Sequence, residues 1–375
     1  MSRRFILAAA FAALPFSAQL LPALAQQTVD TPDRVDRPVV KGNLLLQLQT
    51  DKNVGGGNYD PNSYVSDSAF NAALFLDRHW SLQGTLYLNQ VRTPAGGGFL
   101  QGQGLYLQQA FVNYDAERFI AFAGKFNPQF GMFWSAAPGV YGNNFSENDY
   151  WLTEGIGAGA GVRFAGLGQD QLSLSAWFKD NTALSTSAFA RPRFGQPDTV
   201  RPGRLRHADG GAGNTRGPAS FTLSWRSGDA AGLDGLQTNV DFSSLDHGSD
   251  GSRRQNMLAV GAQYQIPLGG DWSLAPLAEY VGIWNLNGAP GGIDQDRTYL
   301  NAGTALNWGG WQASAVYGLR NTEGGTTAPR DRLYTASLGY SFDSGVSLTA
   351  GWARQRVNGV TTDTIGGVIA YAWKF

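Results

Sequence analysis

Charged side chains are scarce in this chain, so the places where they gather carry its chemistry. Lys, Arg, Asp and Glu together make up 15% of the 375 residues. From Asn127 to Val162 there is no Lys or Arg, yet Glu147, Asp149 and Glu154 all fall in that stretch. Lys125, Arg163, Lys179 and Arg226 lie on the segments around it. Opposed charges across a narrow, poorly screened passage orient polar solutes and discriminate ions. A second concentration is mostly basic: Arg191, Arg193, Arg201, Arg204, Arg206 and Arg216, with only Asp198 and Asp209 as counter-charges.

Hydrolytic chemistry needs a His near Ser or Asp. There are 3 His. His79 falls in a short turn and His207 inside the basic segment. Only His247, in Asp246-His247-Gly248-Ser249-Asp250, has suitable neighbours, and that cluster reads as a polar hairpin tip. Its acids match no established Ca²⁺-loop spacing. Cys is absent, so there is no disulfide framework or thiolate metal site. The expectation is no enzyme, no cofactor and no metal. A net charge of −1 gives no argument for nucleic acid.

The elements that position these charges begin with an address. Arg3 and Arg4, the apolar run from Phe5 to Leu21 and Ala23-Leu24-Ala25 form a secretory signal over 1–25, cleaved before Gln26. Residues 26–39 are then a short periplasmic segment, with no plug domain, and 40–375 is one further domain. Beyond the signal, no apolar run approaches the ~18–20 residues of a spanning helix. Segments of about ten residues instead alternate with period two, the pattern of a transmembrane β-strand. In Trp80–Gln90, Trp80, Leu82, Leu86 and Leu88 oppose Ser81, Gln83, Thr85, Tyr87 and Asn89. Ile156–Phe164, Leu172–Lys179 and Phe221–Arg226 repeat the scheme.

Connections alternate between short and long. Short ones lie near 77–78, 115–118, 166–170, 228–232, 267–271, 309–310 and 343–345. Long ones lie near 51–66, 91–103, 128–155, 181–217, 246–255, 286–296, 321–331 and 355–362. This predicts an all-β, transmembrane antiparallel barrel of about 16 strands, its first strand (near Asn43–Gln49) paired with its last (near Ile365–Phe375). Closure removes edges that would leave backbone groups unpaired in lipid. Trp80, Trp272, Trp308, Trp311 and Trp373 flank short turns, as an interfacial girdle requires. A Lys or Arg facing lipid at the midplane costs about 2–4 kcal/mol. The parity of Arg163, Lys179, Arg226 and Glu279 therefore faces a polar lumen, with Leu, Val, Phe and Trp on the other parity.

The chain ends Tyr371-Ala372-Trp373-Lys374-Phe375, which resembles the terminal signal recognised by the barrel-assembly machinery; Ala370 stands where that family often has Gly. The whole mature chain resembles a Gram-negative outer-membrane porin of the sixteen-strand general type. Gly124-Lys125-Phe126-Asn127-Pro128-Gln129-Phe130-Gly131 resembles a run found in phosphate-selective-type porins. The resemblance implies a third long loop (Pro128–Gly155) folded into the lumen, its acids Glu147, Asp149 and Glu154 facing the wall bases Lys125, Arg163, Lys179 and Arg226. It also implies a homotrimer.

The expected function is an aqueous channel for passive diffusion of small hydrophilic solutes or ions. The alternative is a barrel with a blocked lumen whose extracellular loops act as a surface enzyme or adhesin. The arginine-rich fourth loop is open to three roles: contact with lipopolysaccharide phosphates, an anion-collecting mouth, or a solvated loop. Expected partners are outer-membrane lipid, lipopolysaccharide, the barrel-assembly machinery and the permeating solutes.

Overall fold

The computed structural model describes Val29, Pro32 and residues 37–54, 60–94, 97–289, 294–324 and 329–375. The signal expected at 1–25 lies outside the described residues; within 26–39, Val29 is buried against Ala73 and Phe75. Alternating side chains build a closed 16-strand antiparallel barrel. The wall runs Val39–Asn53, then a split strand (Asn62–Val65 and Ser68–Phe75), Trp80–Gln90, Gln103–Asp115, Phe119–Phe126, Gly155–Ala165, Gln169–Lys179 and Ser220–Gly228. It continues through Leu236–Leu245, a second split strand (Gln255–Tyr264 and Ile266–Gly269), Trp272–Trp284, Gln295–Trp308, Trp311–Gly324, Arg330–Ser341, Val346–Val357 and Val360–Lys374.

The first and last strands close the barrel, from Asn43 opposite Lys374 to Asn53 opposite Thr364. Gly42 and Phe375 exchange backbone hydrogen bonds of 2.9 and 3.0 Å. The Phe375 ring stacks on Phe70 at 5.8 Å between centroids. A Cβ on Gly42 would lie 2.2 Å from that ring, so the terminal seat needs glycine.

The short turns fall where expected. The eighth long connection, expected over 355–362, is instead a two-residue hairpin, because Val357 pairs directly with Val360. Asn358 (φ 50°) and Gly359 (φ 83°) are both left-handed, the conformation that makes Asn-Gly a tight hairpin turn. Outside, Leu82, Leu174, Val162 and Leu223 are exposed as a lipid-facing surface. Trp272, Trp308 and Trp311 stack in a row at 5.3 and 6.2 Å on the short-turn side.

The inside departs from the uniformly polar lumen expected. Along Trp272–Trp284 the inward parity holds Leu277, Val281 and Ile283 as well as Glu279, all buried. With Met257, Ala259 and Leu333 they belong to apolar clusters on the inner wall. The first three strands carry an inward polar row, Asn43, Asn71 and Thr85, linked by hydrogen bonds of 2.7 Å. Hydrophobic alternation separates two faces of a strand; it does not say whether an inward apolar residue meets water or another segment. Here it meets the third loop.

Candidate functional site

The third loop enters the lumen because Phe119–Phe126 ends early. Gly124 has φ 138°, and a Cβ there would lie 2.4 Å from the Ala110 carbonyl oxygen. This kink turns Lys125 inward and buries it, 1% exposed, against Glu154 (2.8 Å) and Asp180 (2.7 Å). Asn127 Oδ1 accepts the Glu154 N–H at 3.0 Å, and Gln129 Oε1 accepts the Ser173 hydroxyl at 3.0 Å. Gly124, Lys125, Asn127 and Gln129 thus each have a structural task where wall becomes loop.

The loop then crosses the lumen, burying Phe130, Met132, Phe133, Phe145, Tyr150 and Leu152 in the apolar clusters of the inner wall. Burial of such side chains stabilises by about 1.5–3 kcal/mol each. Polar anchors fix its path. The Gly131 N–H donates to Asp241 at 2.8 Å, and the Arg226 guanidinium donates to the Gly131 carbonyl at 2.9 Å. Glu279 accepts the Met132 and Phe133 N–H groups and the Tyr150 hydroxyl, which in turn accepts from Asn301. At the tip, the Val140 N–H donates to Ser337 at 3.1 Å and the Tyr141 hydroxyl to Asp51 at 2.7 Å.

Of the loop acids, Asp149 pairs with Arg320 at 2.7 Å and Arg297 at 3.8 Å, two wall bases not singled out from the sequence. Both stand on inward parity in long, otherwise ordinary strands, so parity alone could have found them. Glu154 pairs with Lys125 and accepts two hydrogen bonds from Arg201, at 2.6 and 2.7 Å. Glu147 has no ion pair among the described residues; it accepts from Asn143 at 2.6 Å and stands close enough to Asp67, Tyr87 and Tyr106 for its charge to act on them. Burial pushes its carboxyl above the ordinary range, Asp67 pushes the same way, and the Asn143 hydrogen bond opposes both.

The wall bases do not gather opposite these acids as a ring. Arg163 is held by Asp115 at 2.6 Å, beside the short turn 116–118. Arg226 fastens Gly131, and Lys179 ends its strand across from Gly155. Glu147 instead stands within electrostatic reach of Tyr87, Tyr106 and Asp67. On the loop itself Trp134 and Trp151 stack at 4.5 Å, and Asn143 ties Trp134 to Glu147.

The fourth loop is folded. Ala188–Phe189 pairs with Gly104 and Leu105, supplying backbone partners where Gln103–Asp115 outruns its shorter neighbour. Arg201 turns inward, its guanidinium 3.7 Å from the Tyr106 ring centroid. Arg191, Arg193, Arg204, Arg206 and Arg216 are exposed. His207 and His247 border a groove of about 500 Å³ between this loop and the next, with Asp246 and Ser249. Their ring nitrogens contact the carbonyls of Asn214 (3.1 Å) and Gly248 (3.4 Å), and the Ser249 hydroxyl donates to the His207 carbonyl. Among the described residues no Ser–His or Asp–His side-chain hydrogen bond forms.

No family model matches the chain, and no curated sequence matches it. Solved structures do. The Salmonella typhi OmpF in complex with daunomycin aligns at TM-score 0.59 and 12% identity, covering 90% of this chain and 97% of that one. The outer membrane channel DcaP of Acinetobacter baumannii gives 0.57 and 10%, over 90% and 97%. An anion-selective porin from Comamonas acidovorans gives 0.54 and 10%, over 90% and 99%. The chain has the porin-type sixteen-strand barrel fold.

Proposed function

We propose that this barrel is an outer-membrane porin through which small hydrophilic solutes and ions diffuse passively. A barrel of about sixteen strands is wide enough for an aqueous channel. The observation that carries the reading is the route of the third loop: it packs into the apolar clusters of the inner wall and carries Glu147 without an ion pair among the described residues. The passage runs between Glu147, Trp134 and Trp151 on the loop and Asp67, Tyr87 and Tyr106 on the wall. Asp149 and Glu154, closed in ion pairs, fix the loop rather than select solutes. An unpaired acid opposite Asp67 favours cations over anions.

Export by a cleaved signal at 1–25, insertion in the outer membrane of a Gram-negative bacterium and assembly as a homotrimer complete the proposal. A trimer form is described for the Vibrio cholerae OmpT, whose barrel aligns at TM-score 0.55 and 11% identity. Reconstitution into a planar bilayer tests the function. Stepwise conductance with a cation-biased reversal potential is expected. Absence of conductance would favour a blocked barrel acting through its surface loops.

A further inference from the structure

On the outer wall, at the long-loop end, two arginines stand directly opposite each other. Arg332 pairs in register with Arg356, and both are exposed on the parity that faces away from the lumen; Asp331 and Leu333, on the other parity, are buried. Directly opposed side chains on a sheet lie about 4.5–5.5 Å apart at Cβ, and like charges there repel. On the next strands the residues directly opposite are uncharged, Leu319 for Arg332 and Thr361 for Arg356, and the diagonal neighbour of Arg356, Asp363, is taken by Arg354. Two residues along the same faces lie Arg330 and Arg354, also exposed. Arg354 is paired with Asp363 at 2.9 Å, and Glu323 lies diagonally from Arg330 on the neighbouring strand. Arg332 and Arg356 have no carboxylate partner among the described residues.

Height fixes the surroundings of this pair. On its own strand, Arg332 is two residues beyond Tyr334, whose ring packs tilted against Tyr317 at 5.2 Å on the outer face. It is eight residues from Tyr340, which packs on Trp311 at the short-turn side. Eight residues of tilted strand span about 20 Å of height, close to the ~25 Å apolar band of such barrels. The guanidinium groups therefore stand where the apolar band ends and lipid head groups begin. From Arg330 to Arg354 the patch runs over several residue rises, roughly 13 Å, more than one phosphate fills.

We propose that Arg332 and Arg356, flanked by Arg330 and Arg354, bind a head group carrying two phosphates: a phosphorylated glycolipid of the loop-side leaflet. Planar guanidinium forks match phosphate oxygens in pairs, and an anion between them turns repulsion into attraction. The site rests on the barrel standing in a bilayer with its long loops outward, and not on conduction.

The test mixes detergent-purified protein with lipid A, phosphatidylglycerol or phosphatidylcholine and counts retained lipids by native mass spectrometry. Wild type is expected to retain lipid A best, with retention weakening as salt rises. The double variant Arg332→Ser/Arg356→Ser should lose about thirtyfold in affinity, from the surface attraction of two cations, while bilayer conductance stays at the wild-type level. The charge-keeping pair R332K/R356K should retain part of the binding and guards against a folding defect in the double variant. Unchanged lipid A retention by a folded double variant would overturn the site. Phosphatidylglycerol bound as tightly as lipid A would overturn the two-phosphate assignment.

Discussion

The Tyr141 hydroxyl, at the tip of the third loop, donates a 2.7 Å hydrogen bond to Asp51 on the first wall strand. Asp51 also accepts from Tyr64 at 2.6 Å, so a single carboxylate joins the loop tip to two neighbouring wall strands. Tyr141→Phe should therefore release the tip with little change in packing. The expected loss is about 2 kcal/mol for a hydrogen bond to a charged group, read by thermal unfolding, together with noisier single-channel currents. Quiet currents at wild-type stability would show that this tether does not hold the tip.

Glu147 should set ion preference. Glu147→Gln is expected to shift the reversal potential in a salt gradient toward neutrality, and Glu147→Lys toward anions. Asp149→Asn should shift it less, because Asp149 is already neutralised by Arg320.

The same carboxyl predicts a pH dependence. Burial and Asp67 raise it, so it takes up a proton at a higher pH than an ordinary carboxylate. Cation preference should be complete while it is ionised and should fade as pH drops, with a midpoint above the usual carboxylate range. Glu147→Gln should remove that titration; a midpoint that survives the substitution would assign it elsewhere.

Glu279 satisfies two loop N–H groups and the Tyr150 hydroxyl inside an apolar cluster. Glu279→Leu leaves those donors buried and unpaired, at about 1–3 kcal/mol each. The loop should lift from the wall, changing unitary conductance and opening 127–154 to limited proteolysis, while the outer barrel persists.

Lys125 is the shared cation of Glu154 and Asp180 at the root of both inner loops. Removing one member of a buried ion cluster costs about 3–5 kcal/mol. Lys125→Met should lower the unfolding temperature more than Arg163→Met, whose pair with Asp115 is partly exposed.

The wall was legible because lipid imposes a strict rule: period-two alternation, parity of charge and turn chemistry all state the same topology. Phe375, Trp308-Gly309-Gly310-Trp311 and the parity of Arg226 each needed only local sequence. The turn at Asn358-Gly359 was legible too, but the long strands around it hid it within an apparent loop. The lumen was harder. Val281 and Ile283 share the parity of Glu279, and only the loop that covers them explains why. Likewise Asp149 and Arg320 are 171 residues apart, and no spacing announces their pairing. The outward Arg332–Arg356 pair depends on register between neighbouring strands, which alternation alone leaves free.

The route of the third loop also sets an order of events. The segment leaves the wall at Asn127, yet its anchors are Asp241, Glu279, Asn301, Arg320 and Ser337 from later strands, and Asp51 from the first. Contacts so distant in sequence cannot form until those strands are in place. The selective passage is thus the last feature of the molecule to mature, and a barrel that stalls before its final strands join would be left without a fixed aperture.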